Sequence, residues 1–291
     1  MPKVSVIIPT YNRSELLKEA VASVLRQSFD NIEVIVVDDG STDDTSSVVK
    51  AIKDSRVRYF YKSNGGVSIA RNFGLSKADS EYIAFLDSDD LWPENHLQIM
   101  IEKLQAKPDY GATYCITVLQ LSDGSAIKSE NPARCRSGRI TKYLFQNSVI
   151  WPSASVLRKE MTGDISFDEL LNDSEDSDFF LRLSMRIKFL FIPDIRITRR
   201  VSIDSLSLAA GISCNRILSL ERFYFRLGGD KIIPARMAKR KISHACRKVA
   251  EVHRKAKNRS AAIQLYRYAI WYWPYDLRLY LDFLIDGSVT K

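Results

Sequence analysis

Three carboxylates close together in the sequence are the residues best placed to do chemistry. The stretch YIAFLDSDDLW, residues 82–92, carries a short apolar run straight into Asp87, Asp89 and Asp90. A run of this kind predicts a buried strand whose end opens at the edge of a sheet. Alternate residues of an extended strand point to the same side, so we expect Asp87 and Asp89 to converge on one target.

Carboxylates placed so close together repel each other unless a cation or a hydrogen-bond donor lies between them. Hard oxygen ligands suit Mg²⁺ or Mn²⁺, usually shared with a phosphate-bearing substrate. The alternative interpretation is an acidic turn in which Asp90 is the N-cap of a helix that begins near Pro93. These residues alone do not separate the two interpretations, so the elements around them must decide.

The first 105 residues alternate between strand and helix patterns. Such alternation predicts a parallel sheet with helices on both faces, in which ligands bind beyond the carboxyl ends of the strands. The predicted strands are residues 4–9, 32–37, 57–61 and 82–86, and the predicted helices are 14–27, 43–53, 67–77 and 93–105.

Three of these predicted strands end in polar loops: Thr10–Arg13, Asp38–Thr42 and Asp87–Asp90. Parallel strands bring their carboxyl ends to one edge of the sheet. The coincidence of three such loops favours a ligand site there over three unrelated turns. Beyond residue 110 the pattern changes, with a predicted hairpin of residues 111–121 and 125–128 and a strand at 189–201.

The positive charge is confined to one segment. The 291 residues carry a formal charge of +8, yet residues 230–260 alone hold 11 Lys and Arg against 2 Asp and Glu. A nucleic-acid-binding surface would spread over the chain, so no nucleic-acid partner is expected. The four cysteines have no metal-binding or disulfide spacing, and no signal peptide or membrane-spanning run is visible, so a cytoplasmic location is expected.

Five motifs follow one another in the order VSVIIPTYNR, VIVVDDGSTDDT, NGGVSIARNFGL, YIAFLDSDDLW and EDSDFFLRL. Over roughly residues 3–207 the chain therefore resembles a family 2 glycosyltransferase. The resemblance implies a GT-A fold, which is an α/β fold with a doubly wound, mostly parallel sheet and a small antiparallel part. It also implies inverting transfer of a sugar from a nucleotide diphosphate, usually a UDP-sugar, with Mn²⁺ or Mg²⁺.

The resemblance also implies which residues hold the donor. Asp89 is expected to bind the metal directly, and Asp87 to contact the metal or the ribose. Asp39 resembles the family's uracil reader, which accepts the N3–H of the base, and Asp38 would take the ribose or brace the loop. The other residues expected to frame the base or approach the phosphates are Pro9, Thr10, Tyr11, Arg13, Gly66, Arg71 and Ser88.

Two alternatives for these residues need no ligand. The run 38–43 is also a common Asx-rich turn. Gly65 and Gly66 also suit an ordinary helix entry, and Arg71 also suits an ion pair with the acids at 87 and 89.

Asp176 is the expected catalytic base. Inverting transfer is a single in-line displacement, so a carboxylate must take the acceptor's proton on the face opposite the diphosphate. In EDSDFFLRL, Asp176 shares a helical face with Phe180, and partial burial would raise its pKa. We expect Glu175 to orient the site, and Asp178 and Arg182 to form a surface pair at i, i+4. Acids that merely complement the helix dipole are the alternative.

One departure from the family pattern follows this helix. Many relatives carry a Tyr/Arg-x-His-x-x-Ser-x-Ser run whose His completes the metal shell or touches the diphosphate. Here the matching run is RVSIDSLS, with Ser202 at the His position. Water is expected to fill that position, or Arg199 or Arg200 to supply the charge, and loss of activity is the alternative.

The domain prediction follows from these patterns. A catalytic domain is predicted at 1–207, with a nucleotide-binding half at 1–110 and an acceptor half at 111–207, followed by a basic helical region at 208–291. Ala262, Tyr266 and Ala269 have the spacing of the second helix of a tetratricopeptide repeat. A lone repeat cannot bury its own face, so this helix pair must pack on the catalytic domain, on a second copy as a homodimer, or on a partner.

The basic segment 231–259 has two interpretations. It is either a solvated helix face or a surface attracted to the anionic inner face of the membrane. The second interpretation suits a glycan or lipid-linked glycan acceptor, as in bacterial surface polysaccharide synthesis, which rests on family analogy. The alternative functions are a catalytically degenerate GT-A binding or scaffold module and a nucleotidyltransferase, although the latter normally has a Gly-rich basic first loop.

Overall fold

The computed structural model describes residues 3–121, 125–129, 131–201 and 213–287. The chain forms two compact units, residues 1–202 and 203–291. The predicted domain boundary after residue 207 lies outside the described residues.

The first unit is built on a nine-stranded sheet. Its strands are β1 (Val4–Thr10), β2 (Ile32–Asp38), β3 (Val57–Tyr61), β4 (Tyr82–Phe85), β5 (Asp90–Leu91), β6 (Ala112–Leu121), β7 (Ala126–Ser129), β8 (Ser155–Arg158) and β9 (Phe189–Val201). Its helices are α1 (Ser14–Leu25), α2 (Thr45–Ala51), α3 (Val67–Lys77), α4 (His96–Gln105), α5 (Thr141–Gln146), α6 (Lys159–Thr162) and α7 (Glu175–Leu183).

The sheet is parallel in its first half and mixed in its second. The order is β3-β2-β1-β4-β8-β6-β9-β5, with β7 paired to β6. Strands β3, β2, β1 and β4 run parallel to one another, whereas β8 runs antiparallel to both β4 and β6. All seven residues of both β1 and β2 are buried, as expected for β-branched central strands covered on both faces.

The predicted α/β fold class with a C-terminal helical extension is confirmed. The predicted hairpin is present as the antiparallel pair β6–β7. Several helix boundaries differ by two or three residues, and the largest difference is at α4, which begins at His96 and not near Pro93. Asp90 and Leu91 instead form β5, which pairs with β9, so the chain stays extended for longer than its sequence indicates.

The second unit is helical. Its helices are α8 (Cys214–Arg226), α9 (Ala235–Lys255), α10 (Arg259–Tyr272) and α11 (Leu277–Gly287). The side chains of Ala250, Ala262, Tyr266 and Ala269 are fully buried within this unit. Among the helices that the structure describes, none is long and apolar enough to cross a bilayer.

Candidate active site

The three polar loops meet at the carboxyl edge of the parallel strands. The amide of Asp39 donates to the carbonyl of Thr10 at 2.9 Å. The side-chain oxygen of Asn12 accepts from the amide of Thr42 at 2.8 Å, which ties the first loop to the second. The guanidinium of Arg13 reaches the third loop and contacts the carboxylate of Asp89 at 2.5 Å. The structure therefore brings together the loops that the sequence indicated.

The third loop holds a cluster of three carboxylates. Asp87, Asp89 and Asp90 each offer an oxygen, and these oxygens all lie within 4.8 Å of one another. Asp90 is buried, and within the described residues its Oδ2 has no hydrogen-bond partner. The helix-cap interpretation of Asp90 is wrong, because α4 begins six residues later, at His96, and has Asn95 at its N-cap. Asp90 belongs to the acidic cluster instead.

Burial and mutual repulsion set the ionisation of this cluster. Burial raises the pKa of Asp90 well above its ordinary value, and the charges of Asp87 and Asp89 raise it further. Burial also raises the pKa of Asp89, although Arg13 opposes the shift. At Asp87 burial raises the pKa, but the charge and hydrogen bond of Arg71, together with the charges of Arg199 and Arg13, bring it below the ordinary value. Two of the three carboxyls thus resist ionisation in the absence of further positive charge.

These residues fit a divalent metal ion. The cluster offers hard oxygen donors from three side chains, including a buried oxygen with no described partner, and the pKa of Asp89 and Asp90 stays raised despite the neighbouring arginines. Both properties suit Mg²⁺ or Mn²⁺, which take carboxylate ligands and usually share a phosphate-bearing substrate.

Arg71 joins the acidic cluster to α7. Its guanidinium is almost fully buried and contacts Asp87 at 2.7 Å and Glu175 at 2.8 Å. It also lies 5.1 Å from the centroid of the Phe167 ring. Arg71 is therefore an ion-pair partner of the acids at the end of β4, which was one of the two interpretations of its sequence context.

Asp176 lies in the first turn of α7, directly after the residue that Arg71 holds. Its side chain is half-buried, and its Oδ1 accepts from the amide of Ser177 at 2.6 Å. The predicted surface pair of Asp178 and Arg182 is wrong in one respect. The two side chains do pair, at 2.6 Å, but Asp178 is fully buried. Residues 178–181 of this helix are all buried, so more of its circumference is covered than a single apolar stripe indicates.

The end of β2 holds two carboxylates that the chain itself satisfies. Asp38 accepts from the amide of Ser41 at 2.8 Å and from the hydroxyl of Tyr59 at 2.6 Å. Burial and the contact with Asp38 raise the pKa of Tyr59 to about 12. Asp39 accepts from the ammonium of Lys62 at 2.5 Å and from the amide of Gly66 at 2.7 Å.

The geometry at Gly66 depends on glycine. Its φ of +94° turns the amide toward Asp39, and L-residues with a side chain rarely adopt that conformation. Gly66 thus contributes to the site through its backbone.

Three functional contacts were missed from the sequence. Lys62 follows the end of β3, so a fourth polar strand end was available as a signal for it. Tyr59 lies inside β3 and gave no signal, since its contact with Asp38 depends on strand register. Ser153 accepts from the amide of Asp87 at 3.0 Å, a contact made across 66 residues of sequence.

The arginines of β9 lie beside the acidic loop. Arg200 donates to the backbone carbonyl of Asp89 at 2.5 Å, and the guanidinium of Arg199 lies 3.8 Å from the centroid of the Trp151 ring. The charge of Arg199 lowers the pKa of all three acids, although other effects dominate. Ser202, at the position of the expected His, lies outside the described residues.

The remaining predicted donor-site residues line the same edge. Pro9, Thr10 and Ser88 are buried, and the hydroxyl of Thr10 has no hydrogen-bond partner among the described residues. Tyr11 is 48% exposed and so presents much of its ring to solvent.

Solved structures define the class to which this fold belongs. The mannosyltransferase PcManGT from Pyrobaculum calidifontis, in complex with GDP-Man and Mn²⁺, matches with a TM-score of 0.61 and 22% identity, over 99% of this chain and 86% of that one. S. aureus TarS 1–349 in complex with UDP-GlcNAc matches with a TM-score of 0.59 and 20% identity, over 98% and 91% of the two chains. The fold is that of the GT-A glycosyltransferases.

The family is shown by the sequence itself. The family model described as Glycosyl transferase family 2 matches residues 5–165, more than half of the chain. The chain belongs to glycosyl transferase family 2.

Two curated relatives illustrate how the chain compares in length. An uncharacterized glycosyltransferase of Rickettsia bellii is 49% identical over 187 residues, which are 63% of this chain and 26% of that protein. The GalNAc(5)-diNAcBac-PP-undecaprenol beta-1,3-glucosyltransferase of Campylobacter jejuni is 30% identical over 222 residues, 75% of this chain and 71% of that protein. The match spans 26% or less of three rickettsial relatives and 32% of a fourth.

Proposed function

We propose that this chain is an inverting glycosyltransferase that moves a sugar from a nucleotide diphosphate, in the simplest case a UDP-sugar, to an acceptor hydroxyl. The observation that carries the proposal is the bridge made by Arg71. One buried guanidinium holds the acidic end of β4 against the first turn of α7, where Asp176 lies. A donor held at the acids therefore faces a helix that can present a base.

The nucleotide is proposed to lie against the ends of β1 and β2. Tyr11 offers an exposed ring for the base, and Thr10 offers a hydroxyl without a described partner. Asp39 is proposed to accept the N3–H of uracil. Its oxygens now accept from Lys62 and from the amides of Gly65 and Gly66, so these donors must yield part of that carboxylate when a base binds.

A divalent ion, Mn²⁺ or Mg²⁺, is proposed to bind at the end of β4. Asp89 and Asp87 would hold it, and the observed cluster adds Asp90 to the set. Bound there, the ion would supply positive charge to the departing diphosphate. Ser88, between the two predicted ligands, is proposed to contact the donor.

Positive charge from β9 is proposed to replace the missing His. Arg200 braces the backbone of Asp89, and Arg199 contributes a charge that favours ionisation of the acids. This arrangement supports the interpretation in which an arginine supplies the charge at that position.

The reaction is proposed to be one displacement. The acceptor oxygen forms a bond to the anomeric carbon while the bond from that carbon to the diphosphate oxygen breaks. Asp176 takes the hydroxyl proton, and the hydrogen bond from Ser177 holds its carboxylate in place. Glu175, fixed by Arg71, positions this turn of α7.

The acceptor is proposed to be a lipid-linked glycan in surface polysaccharide synthesis, at the cytoplasmic face of the membrane. The support is the Campylobacter jejuni relative, whose name specifies an undecaprenol-linked acceptor. A catalytically degenerate binding module is the second candidate, because Ser202 stands where the family has His.

Titration calorimetry with UDP tests the donor site, first without metal and then with Mn²⁺ or Mg²⁺. We expect UDP affinity to rise with either ion, and equal affinity in all three conditions would contradict the metal site. A screen of nucleotide sugars for hydrolysis then separates the two candidates. Binding of UDP with metal, but turnover of no nucleotide sugar, would establish the degenerate module instead.

A further inference from the structure

The helical unit exposes large apolar side chains at one end. Trp271, Tyr275 and Leu277 are 70%, 77% and 76% exposed. The ring of Trp273 lies 5.1 Å from that of Tyr275, and the ring of Trp271 lies 4.8 Å from that of Tyr272. Exposed apolar groups that adjoin one another mark interaction sites more often than scattered single residues do.

The charges of α9 divide into two halves. In the second half, Arg247 and Arg254 form ion pairs with Asp282, and Lys248 pairs with Glu251. The first half, residues 235–246, contains no acidic residue. The cations of this first half therefore have no acidic neighbour within the same stretch of helix.

Three cations of the first half lack a carboxylate partner among the described residues. Arg236, Lys239 and Arg240 are exposed, and none of the three forms an ion pair with any described carboxylate. Exposed cations also lie at the other end of the basic segment, at Lys255, Lys257 and Arg259, so the position of the aromatic residues distinguishes the two ends.

The three cations of the first half lie at the same end of the unit as the exposed aromatic residues. Helices α9 and α10 pack as an antiparallel pair, in which the hydroxyl of Ser243 donates to the carbonyl of Ala269 at 2.8 Å. The guanidinium of Arg236 lies 5.7 Å from the centroid of the Trp273 ring. The start of α9 and the segment after α10 therefore form one surface.

We propose that this basic aromatic end, formed by Arg236, Lys239, Arg240, Trp271, Tyr275 and Leu277, docks on an anionic lipid surface. Trp and Tyr suit the boundary between lipid headgroups and acyl chains, where an apolar ring and a polar group are both solvated. Lys and Arg are attracted to anionic headgroups. The sequence left residues 231–259 open between a solvated helix face and membrane contact, whereas this proposal places the contact at the first half of α9 and at the aromatic segment 271–277.

A second copy of the chain fits this surface less well. A two-fold interface would place the same patch against itself. The three cations of one copy would then face those of the other, and Asp276, the acid between Tyr275 and Leu277, already pairs with Arg278. Anionic lipid supplies the missing charge.

This inference rests on the part of the proposed function that assigns a lipid-linked acceptor. Its failure can be recognised separately, because vesicle binding requires neither donor nor acceptor. Metal-dependent binding of UDP would stand even if the surface did not bind lipid.

Vesicle flotation of the full chain tests the proposal. Vesicles of phosphatidylcholine alone are compared with an equimolar mixture of phosphatidylcholine and phosphatidylglycerol. We expect recovery with the anionic vesicles and little with the neutral ones. In the variant Lys239→Gln with Arg240→Gln, the partition coefficient should fall about 30-fold, on the basis of the usual contribution of each cation near an anionic surface.

A matched control separates position from net charge. Lys255→Gln with Arg259→Gln removes two exposed cations from the opposite end of the helix pair, so its net charge equals that of the first variant. The control should bind vesicles as the unchanged chain does. An equal loss in both double variants would overturn the proposal, since net charge alone would then explain binding.

The aromatic half of the surface has its own test. Trp271→Ser with Tyr275→Ser should weaken vesicle binding, and both residues are exposed enough that melting temperature and UDP binding should not change. Sedimentation velocity is measured in parallel. Loss of a dimer in this variant, with vesicle binding unchanged, would show that the occupant is a second copy and would overturn the lipid assignment.

Discussion

The ends of β2 and β4 lie at the same edge of one sheet, separated by β1, and both carry neighbouring carboxylates. At the end of β2, Asp38 and Asp39 accept hydrogen bonds from a tyrosine, a lysine and backbone amides. At the end of β4, three carboxylates crowd together. Arg13 and Arg71 pair with Asp89 and Asp87, but the buried Oδ2 of Asp90 has no described partner. The two strand ends thus differ in how completely the protein satisfies their carboxylates.

The difference indicates two kinds of recognition. Carboxylates that are already surrounded by donors are ordered before a ligand arrives, so the end of β2 suits hydrogen bonding to a base. Carboxylates that repel each other gain most from a cation. The end of β4 should therefore respond to metal, whereas the end of β2 should not. Substitutions at the two strand ends should therefore differ in how their effect on UDP binding depends on metal.

The largest effect is expected at Asp176, the proposed base. Asp176→Asn would remove the proposed proton acceptor, so turnover should fall by about 10²- to 10⁴-fold, the usual contribution of general base catalysis. UDP affinity in Mn²⁺ should stay unchanged. Asp164→Asn, at an exposed carboxylate of the same unit, is the control and should keep full activity. Retained turnover in Asp176→Asn would remove this residue as the base.

Asp89→Ala tests whether the end of β4 binds metal. The affinity for UDP in the presence of Mn²⁺ should fall at least about 100-fold, since even changes outside the ligand shell cost 10- to 100-fold in metal affinity. The weak binding measured without metal should change little. Asp79→Ala, at an exposed carboxylate before β4, serves as the control. Calorimetry that shows unchanged affinity in Mn²⁺ would exclude Asp89 as a ligand.

Asp39→Asn tests the end of β2, whose contribution to UDP binding should not depend on metal. Loss of a hydrogen bond to a charged group should weaken UDP binding by about 10- to 100-fold, equally with and without Mn²⁺. Asp44→Asn, an exposed acid close in sequence, is the matched control. Because Lys62 would lose its carboxylate partner, melting temperature is measured alongside. A loss seen only in Mn²⁺ would erase the distinction between the two strand ends.

His96 packs on Trp92, which follows the acidic loop at the end of β4, and its burial should make stability depend on pH. It is fully buried, stacks on Trp92 at 4.5 Å, and neither ring nitrogen has a partner among the described residues. Burial lowers its pKa from 6.5 to about 3. In the unfolded chain this imidazole takes up a proton near pH 6.5, whereas in the folded chain it stays neutral down to about pH 3. The free energy of unfolding is therefore unaffected by His96 above pH 6.5 and falls as the pH drops toward 3.

His96→Phe should remove this slope. Between pH 6.5 and 5 the unchanged chain should lose about 2 kcal/mol more stability than the variant does. Urea denaturation at both pH values measures the difference. Parallel losses in the two proteins would show that other groups, and not His96, cause the acid sensitivity.

The smallest effect is expected from a single hydrogen bond at the end of β2. Tyr59→Phe removes the hydroxyl that donates to buried Asp38 and should cost about 1 kcal/mol of stability. Tyr61→Phe is the matched control, since Tyr61 lies in the same strand but is 62% exposed. Thermal melts should separate the two variants, and equal melting temperatures would show that the contact with Asp38 contributes nothing.

Much of the fold and the location of the site could be predicted from the sequence. Runs such as VSVIIP and IEVIVV have the composition of buried parallel strands, and each ends in a polar loop. Because parallel strands share one carboxyl edge, those loops had to lie near one another. The strands can be assigned from neighbouring residues, and the position of the loops follows from the rules of sheet topology.

The details that failed depend on packing between distant segments. The sequence allowed Asp90 to be a helix cap, but its pairing with β9 across the sheet kept it extended. It placed Asp178 at the surface, although tertiary packing buries it. Lys62 was not recognised as a partner of Asp39, since two separate strand ends must come together before they meet.

The sequence by itself predicted that three polar loops, with the carboxylates they carry, share one sheet edge. Only the tertiary structure decided how their charges are balanced. Arg71 contacts Asp87, 16 residues away, and Glu175, 104 residues away, and it is buried in doing so. Local patterns follow from the periods of helices and strands, but an ion pair depends on register and packing across the whole unit, which no short stretch of sequence contains.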